Sequence, residues 1–137
     1  MNNKQTIQVV AAIIFNKNSE VLLASRPNDK IFAGFWEFPG GKIETNETPF
    51  AALQRELFEE TNLHIQKAHH WQTITVEREQ HTIAVQFWQV AYADWCGTLQ
   101  AKENQQFAWQ NPQNLTVYPI LPNNQAIIDA LAQQYSG

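Results

Sequence analysis

Between Gly40 and Leu63 the chain reads GGKIETNETPFAALQRELFEETNL, and no other stretch limits the possible folds as much. It opens on paired glycines, crosses a short acidic loop and enters one helix. Thr48 is suited to cap that helix, with Pro49 at its first position. Phe50, Leu53 and Leu57 follow at helical spacing and are expected to face a core. Glu56, Glu59 and Glu60 stand at i, i+3 and i+4, so their carboxylates share an arc of roughly 100°. Like charges so spaced repel by roughly 0.2–0.5 kcal/mol per pair. They also lie in the half of the helix whose dipole disfavours anions. A local rule broken this often marks a functional site, the alternative being a solvated acidic face. The simplest compensation is a divalent cation, because glutamate oxygens suit hard ions such as Mg²⁺ or Mn²⁺.

From Gly41 the spacing is G, five residues, E, seven residues, then R-E-L-x-E-E-x-N-L. This resembles the Nudix box, whose pattern ends R-E-U-x-E-E-x-G-U, with U a bulky aliphatic. Gly41, Glu47, Arg55, Glu56, Leu57, Glu59, Glu60 and Leu63 match it. Asn62 departs from it, standing where the family has glycine. That position caps the helix C-terminus, where a left-handed backbone is wanted, and asparagine is the next best residue for it. A small stability cost and unchanged chemistry are expected.

The resemblance implies an α/β fold, a mixed β-sheet sandwiched between α-helices, formed by one domain over residues 1–137. It implies a Mg²⁺-dependent hydrolase of phosphoanhydride bonds, with Mn²⁺ as a substitute. The Gly40 carbonyl would join Glu56, Glu59 and Glu60 as metal ligands, with Glu47 a supporting carboxylate. Arg55 resembles the family arginine that orients a box glutamate, a bidentate role that lysine fills poorly. Lys102-Glu103-Asn104-Gln105 matches a loop of the MutT-like branch, which gives Glu103 a metal-binding or water-activating role; a surface acid is the alternative. The general base stays open between Glu56, Glu59 and Glu103. A catalytically silent binding module would usually have lost box glutamates or the arginine, and none is lost.

A chain of 137 residues suits a single domain with a real core. The net charge of −4 argues against duplex nucleic acid or an anionic membrane as partner. Cys96 is the one cysteine, so no internal disulfide forms and a reducing compartment is expected. Met1 to Gln5 is polar, without a signal-peptide h-region, and no apolar run reaches membrane-spanning length. A cytoplasmic monomer or weak dimer is expected.

Along the chain, Ile7–Phe15 is a nearly continuous apolar run, as in a central strand covered on both faces. Asn16–Ser19 is a turn cluster, and residues 20–25 return as a strand, which predicts a hairpin. Gly34–Pro39 is a short aromatic strand running into the glycines. A strand around Trp71–Val76 and an alternating run from His81 to Ala91 predict a second hairpin. Asp94–Gly97 reads as a turn or bulge, and a short strand ends near Trp109. Asn123 is placed to cap a last helix over Gln125–Tyr135.

For the substrate, residues 7–131 resemble the MutT-like nucleoside triphosphate diphosphatases. Glu37–Glu44 is close to the bacterial 8-oxo-dGTP diphosphatase pattern, whereas Gly97–Ala101 looks more like the CTP and 5-methyl-dCTP diphosphatases. Asn124 favours the first, since in those enzymes an asparagine here reads the oxidised base. 8-Oxoguanine offers O6 as acceptor and N7–H as donor, so one amide can donate to the first and accept from the second. Normal guanine would leave that amide oxygen facing a lone pair, at a cost of roughly 1–3 kcal/mol. A helix-cap role is the alternative for Asn124. By resemblance Arg26 lines the nucleotide pocket and Phe38 forms its floor. The tryptophans read as packing, His81 as a weaker candidate for substrate contact, and the four histidines lack metal-ligand spacing.

Overall fold

The computed structural model describes residues 4–26, 34–102, 104–115 and 124–134. Nine strands and two α-helices are formed there. They are β1 (Gln5–Ile14), β2 (Val21–Ser25), β3 (Trp36–Glu37), β4 (Gly40–Lys42), α1 (Pro49–Thr61), β5 (His64–Ile65), β6 (His69–Glu77), β7 (His81–Val90), β8 (Trp95–Cys96), β9 (Phe107–Gln110) and α2 (Gln125–Gln134). A single 3₁₀ turn, Tyr92–Asp94, precedes β8.

The main sheet has the order β4-β1-β7-β6. It is mixed, because β1 runs parallel to β7 through ten register pairs but antiparallel to β4. The parallel pairing needs a long crossover between β1 and β7, and α1 lies within it. The predicted second hairpin forms, with β6 and β7 antiparallel and a bulge between His70 and Gln72. The predicted first hairpin does not form as expected. Only Phe15 and Val21 bridge β1 to β2, and the two strands then part into different sheets. β2 instead pairs with β3 and β9. Asp94–Gly97 is likewise more than a turn, since Trp95 and Cys96 pair with β5.

Period-two alternation along β1 explains the layers. Val10, Ala12 and Ile14 pack with Leu53 and Leu57 of α1, whereas Ala11, Ile13 and Phe15 pack with Ile127, Ile128 and Leu131 of α2. One strand therefore feeds two cores, which is why its sequence is an unbroken apolar run. Each such aliphatic side chain contributes about 1.5–3 kcal/mol when fully buried. β2 divides in the same way, Leu22 toward α1 and Val21 and Leu23 toward α2. The sheet is thus sandwiched between the two helices.

α1 begins and ends where the sequence predicts. Thr48 Oγ1 accepts from the Ala51 N–H at 3.1 Å, and Pro49 opens the helix. Asn62 takes the left-handed conformation (φ 68°, ψ 14°), and its N–H donates to the Phe58 carbonyl. Leu53 and Leu57 are buried, and Phe50 is half-buried against Trp88. Asn123, Glu103 and the segment 116–123 lie outside the described residues.

Candidate active site

The paired glycines sit on β4, at the edge of the main sheet. Ala12 N–H donates to the Pro39 carbonyl and Ile43 N–H to the Gln8 carbonyl, which makes residues 39, 41 and 43 the ladder-bonded positions. Gly40 falls between them, so its N–H and C=O both point away from β1. Its N–H donates to Glu60 Oε2 at 3.0 Å. Its carbonyl faces the same free edge, off the ladder. Both glycines are required by close approach. A Cβ at Gly40 would overlap the Val10 carbonyl oxygen, and one at Gly41 would overlap the Glu56 carboxylate.

Arg55 organises the rest. Its Nε donates to Glu47 Oε2 at 2.7 Å and one terminal nitrogen to Glu47 Oε1 at 2.9 Å, a bidentate pair. That nitrogen also donates to the Lys42 carbonyl at 3.0 Å. The other nitrogen donates to Glu56 Oε1 at 2.9 Å and Glu59 Oε1 at 3.2 Å. All five guanidinium N–H groups thus have acceptors. The Arg55 hydrogen bonds pull the Glu47 carboxyl down to about 2, and Glu47 in turn raises the Arg55 pKa. Glu44 is largely solvated, reaching Arg55 at 3.9 Å.

Of the predicted residues, Glu47, Arg55, Glu56, Glu59, Glu60 and Gly40 are therefore gathered around the β4–α1 corner. Among the described residues, however, no three acidic, histidine or cysteine side chains converge on one point. Arg55 holds two of the helix glutamates and the Gly40 N–H holds the third. The donor set still fits a hard divalent cation, since it comprises carboxylate oxygens and an off-ladder carbonyl.

Arg26 and Glu37 form a further pair at 3.3 Å. Glu37 lies opposite Ala24, and Arg26 continues the alternation of Leu22 and Ala24, so both face α1. Burial raises the Glu37 pKa, and Arg26 opposes that rise. Sequence reasoning misses Glu37, although its place three residues before Gly40 is a usable signal.

Phe38 points the other way. It is buried, meets Phe87 edge-on at 6.1 Å and belongs to the core under α2. Half-buried Trp36, Trp71, Ile74 and Val85 pack against that core. The two tryptophans are packing residues, as expected, and the bulge between His70 and Gln72 is what lets Trp71 share a face with Ile74. Asn124, half-buried, immediately precedes α2 on this same face. His81 opens β7 opposite Gln5, at the far end of β1.

A catalytic-type acidic helix braced by one arginine, against a glycine edge strand in an α/β/α sandwich, defines a phosphoanhydride hydrolase framework. The chain belongs to the Nudix family: residues 5–131 match the NUDIX domain model. It is 38% identical over 124 residues to a CTP pyrophosphohydrolase of Escherichia coli, covering 90% of each chain. It is 34% identical over 125 residues to the 8-oxo-dGTP diphosphatase of the same organism, covering 91% of this chain and 95% of that one. The Proteus vulgaris 8-oxo-dGTP diphosphatase is 36% identical over 75% of this chain and 90% of its own length. In structure, the chain matches the solution structure of the E. coli ORF135 protein with TM-score 0.85 and 34% identity, covering 99% of this chain and 95% of that one. It matches a MutT structure from work on Aliivibrio salmonicida and Vibrio cholerae with TM-score 0.83 and 30% identity, covering 96% of this chain and 100% of that one. Hydrolases of this family generally use a divalent metal. No helix among the described residues is long and apolar enough to cross a membrane.

Proposed function

We propose that this Nudix hydrolase converts 8-oxo-dGTP, and 8-oxo-GTP by the same chemistry, to the monophosphate and pyrophosphate. Such an enzyme clears oxidised precursors from the nucleotide pool before replication uses them. The observation that carries the reaction is the intact set Glu47, Arg55, Glu56, Glu59 and Glu60, gathered beside an edge strand whose glycines let them approach. Gly40, Glu56, Glu59 and Glu60 would hold Mg²⁺, or Mn²⁺ in its place. That ion would neutralise the polyphosphate and favour attack by water. Both Glu47 oxygens already accept from Arg55, so Glu47 serves the site through that arginine. Glu103 would add a carboxylate from its loop, and the general base is one of Glu56, Glu59 and Glu103.

The two faces of the sheet divide the substrate. Arg26 and Glu37, on the α1 face, would meet the phosphate and sugar end. Phe38 forms the floor on the α2 face, where Asn124 would read the base. The enzyme would act in the cytoplasm as a monomer or weak dimer. The 38% identity to a CTP pyrophosphohydrolase favours a second reading, a pyrimidine nucleoside triphosphate diphosphatase. Pyrophosphate release from 8-oxo-dGTP, dGTP, CTP and 5-methyl-dCTP, with Mg²⁺ and with EDTA, separates the two. Faster turnover of either pyrimidine nucleotide overturns the purine reading.

A further inference from the structure

The parallel strands β1 and β7 end side by side at Ile14 and Val90, and a cavity of about 380 Å³ opens just beyond them. The carboxyl ends of parallel strands are where open α/β sheets receive ligands. Phe15 and Ala91, which follow the two strands, begin the lining. The turn after β1 adds Asn16, Lys17 and Ser19, and His69 and Gln89, register partners on β6 and β7, complete it with Tyr92. The cavity is remote from the catalytic corner. Gly40 pairs with Ala11, four residues before Phe15, or roughly 13 Å along the strand. Gln89 Nε2 donates to Gln134 Oε1 at 3.2 Å, at the C-terminal end of α2. Asn124 precedes the other end of that helix, roughly 15 Å away.

The lining selects the chemistry of a ligand. No carboxylate takes part in it, although acids outnumber bases by 13 to 9 over the chain. Glu20, the nearest acid in sequence, is held aside by Asn16 Nδ2 at 2.9 Å. Lys17 is exposed and has no ion pair among the described residues, so its charge is available to an anion. Tyr92 is 51% exposed, and Trp95 meets its ring edge-on at 5.8 Å. A ring fixed by one neighbour and otherwise bare offers a flat ligand a stacking surface. Gln89 has committed a donor to Gln134, which leaves its amide oxygen to accept from a ring or amino N–H. We propose that this cavity is a second nucleotide site, which takes a nucleoside monophosphate. Its phosphate meets Lys17 and Ser19, and its base lies against Tyr92 and donates to Gln89. The choice of nucleotide rests on the diphosphatase reading, because the monophosphate is that reaction's own product. The volume is at the small end for ligand pockets, which run roughly 300–1,000 Å³, and suits one base and one phosphate. With no carboxylate to hold a metal, the site binds and does not hydrolyse.

Amide chemical shifts of the ¹⁵N-labelled protein test this, in EDTA. dGMP and dCMP are titrated in turn, and inorganic phosphate separately. At least one nucleotide is expected to shift Lys17, Ser19, His69 and Tyr92 together, saturating with a single Kd. Lys17→Glu and Tyr92→Ala are each expected to raise that Kd by roughly three- to tenfold. Both side chains are exposed and outside the catalytic set, so kcat and KM are expected to stay at the parent values. Shifts around Asn124, which report nucleotide in the active site, are expected to survive both substitutions. The proposal is overturned if those four amides stay still, if inorganic phosphate alone moves them with equal affinity, or if neither variant weakens binding. It is also overturned if the variants lose turnover in step with binding, which would place these side chains in the active site. The titration needs no turnover, so a wrong triphosphate assignment fails the substrate panel and leaves this result standing.

Discussion

Alanine at Gly41 and alanine at Gly40 should fail in different ways. The three atoms that a Cβ at Gly41 meets first all belong to the Glu56 carboxylate, with Oε1 at 2.5 Å. Ordinary contact begins near 3.4 Å, so the carboxylate must retreat by about 1 Å. Gly41 is not among the positive-φ residues, so its backbone accepts alanine. The retreat strains or breaks the Arg55–Glu56 hydrogen bond, and both partners are partly exposed (27% and 19%). The stability loss is then about 0.5–1 kcal/mol, or roughly 2–5 °C in Tm. A misplacement of about 1 Å at a reacting site costs on the order of 100-fold, and kcat should fall by that much. At Gly40 the added atom meets the backbone of Val10 and Ala11, which cannot swing aside. β4 must then separate from β1, giving up the bonds at Pro39, Gly41 and Ile43. At about 1 kcal/mol each, three such bonds are worth about 3 kcal/mol, or a Tm lowered by roughly 10 °C. Thermal melts and pyrophosphate release at saturating substrate distinguish the two variants. A Gly41→Ala protein that melts as early as Gly40→Ala, or keeps kcat within about threefold of the parent, would refute the placement of the Glu56 carboxylate against Gly41.

Glu59→Gln is expected to keep the fold and lower kcat by orders of magnitude; near-parental turnover would remove Glu59 from the catalytic set. Asn124→Ala should erode the preference for 8-oxo-dGTP over dGTP by roughly 5- to 150-fold, as the kcat/KM ratio reads it; equal loss on both nucleotides would support the cap role instead. Glu47 has a folded-state pKa of about 2 against an ordinary 4.5, so its contribution to stability is present above pH 4.5 and is lost as the pH falls toward 2. Tm measured across that window should fall less steeply in Glu47→Gln than in the parent, and parallel curves would contradict the pairing.

Local signals carried furthest where one residue decides one feature. Thr48, Pro49 and Asn62 fixed both ends of α1, because capping depends on a few neighbouring atoms. The layers were readable from the β1 run, since only a strand covered on both faces affords unbroken apolar residues. The β1–β2 hairpin was misread for the opposite reason. Its turn is short and its strands are adjacent in sequence, but β2 buries Leu22 and Leu23 on opposite faces and finds its partners in β3 and β9, far along the chain. Turn chemistry cannot report such non-local pairing. Glu37 was overlooked because its meaning comes from Arg26, which only the β2–β3 pairing brings to 3.3 Å.

The three helix glutamates illustrate how a sound sequence argument can be incomplete. Their mutual repulsion implied a compensating cation, and a metal was the obvious candidate. The structure supplies compensation from within the chain. Arg55 donates to Glu56 and Glu59 while anchored by Glu47, and the Gly40 N–H donates to Glu60. Repulsion alone is therefore a weaker pointer to metal than it looked on the helix. One guanidinium among four carboxylates nevertheless leaves excess negative charge at the corner. The stronger pointer is one that spacing on a helix could not show: the Gly40 carbonyl lies off the ladder, on the same free edge as the carboxylate of Glu60. A hard cation among carboxylates would use a backbone oxygen placed on that edge, whereas internal pairing of the carboxylates gives it no part.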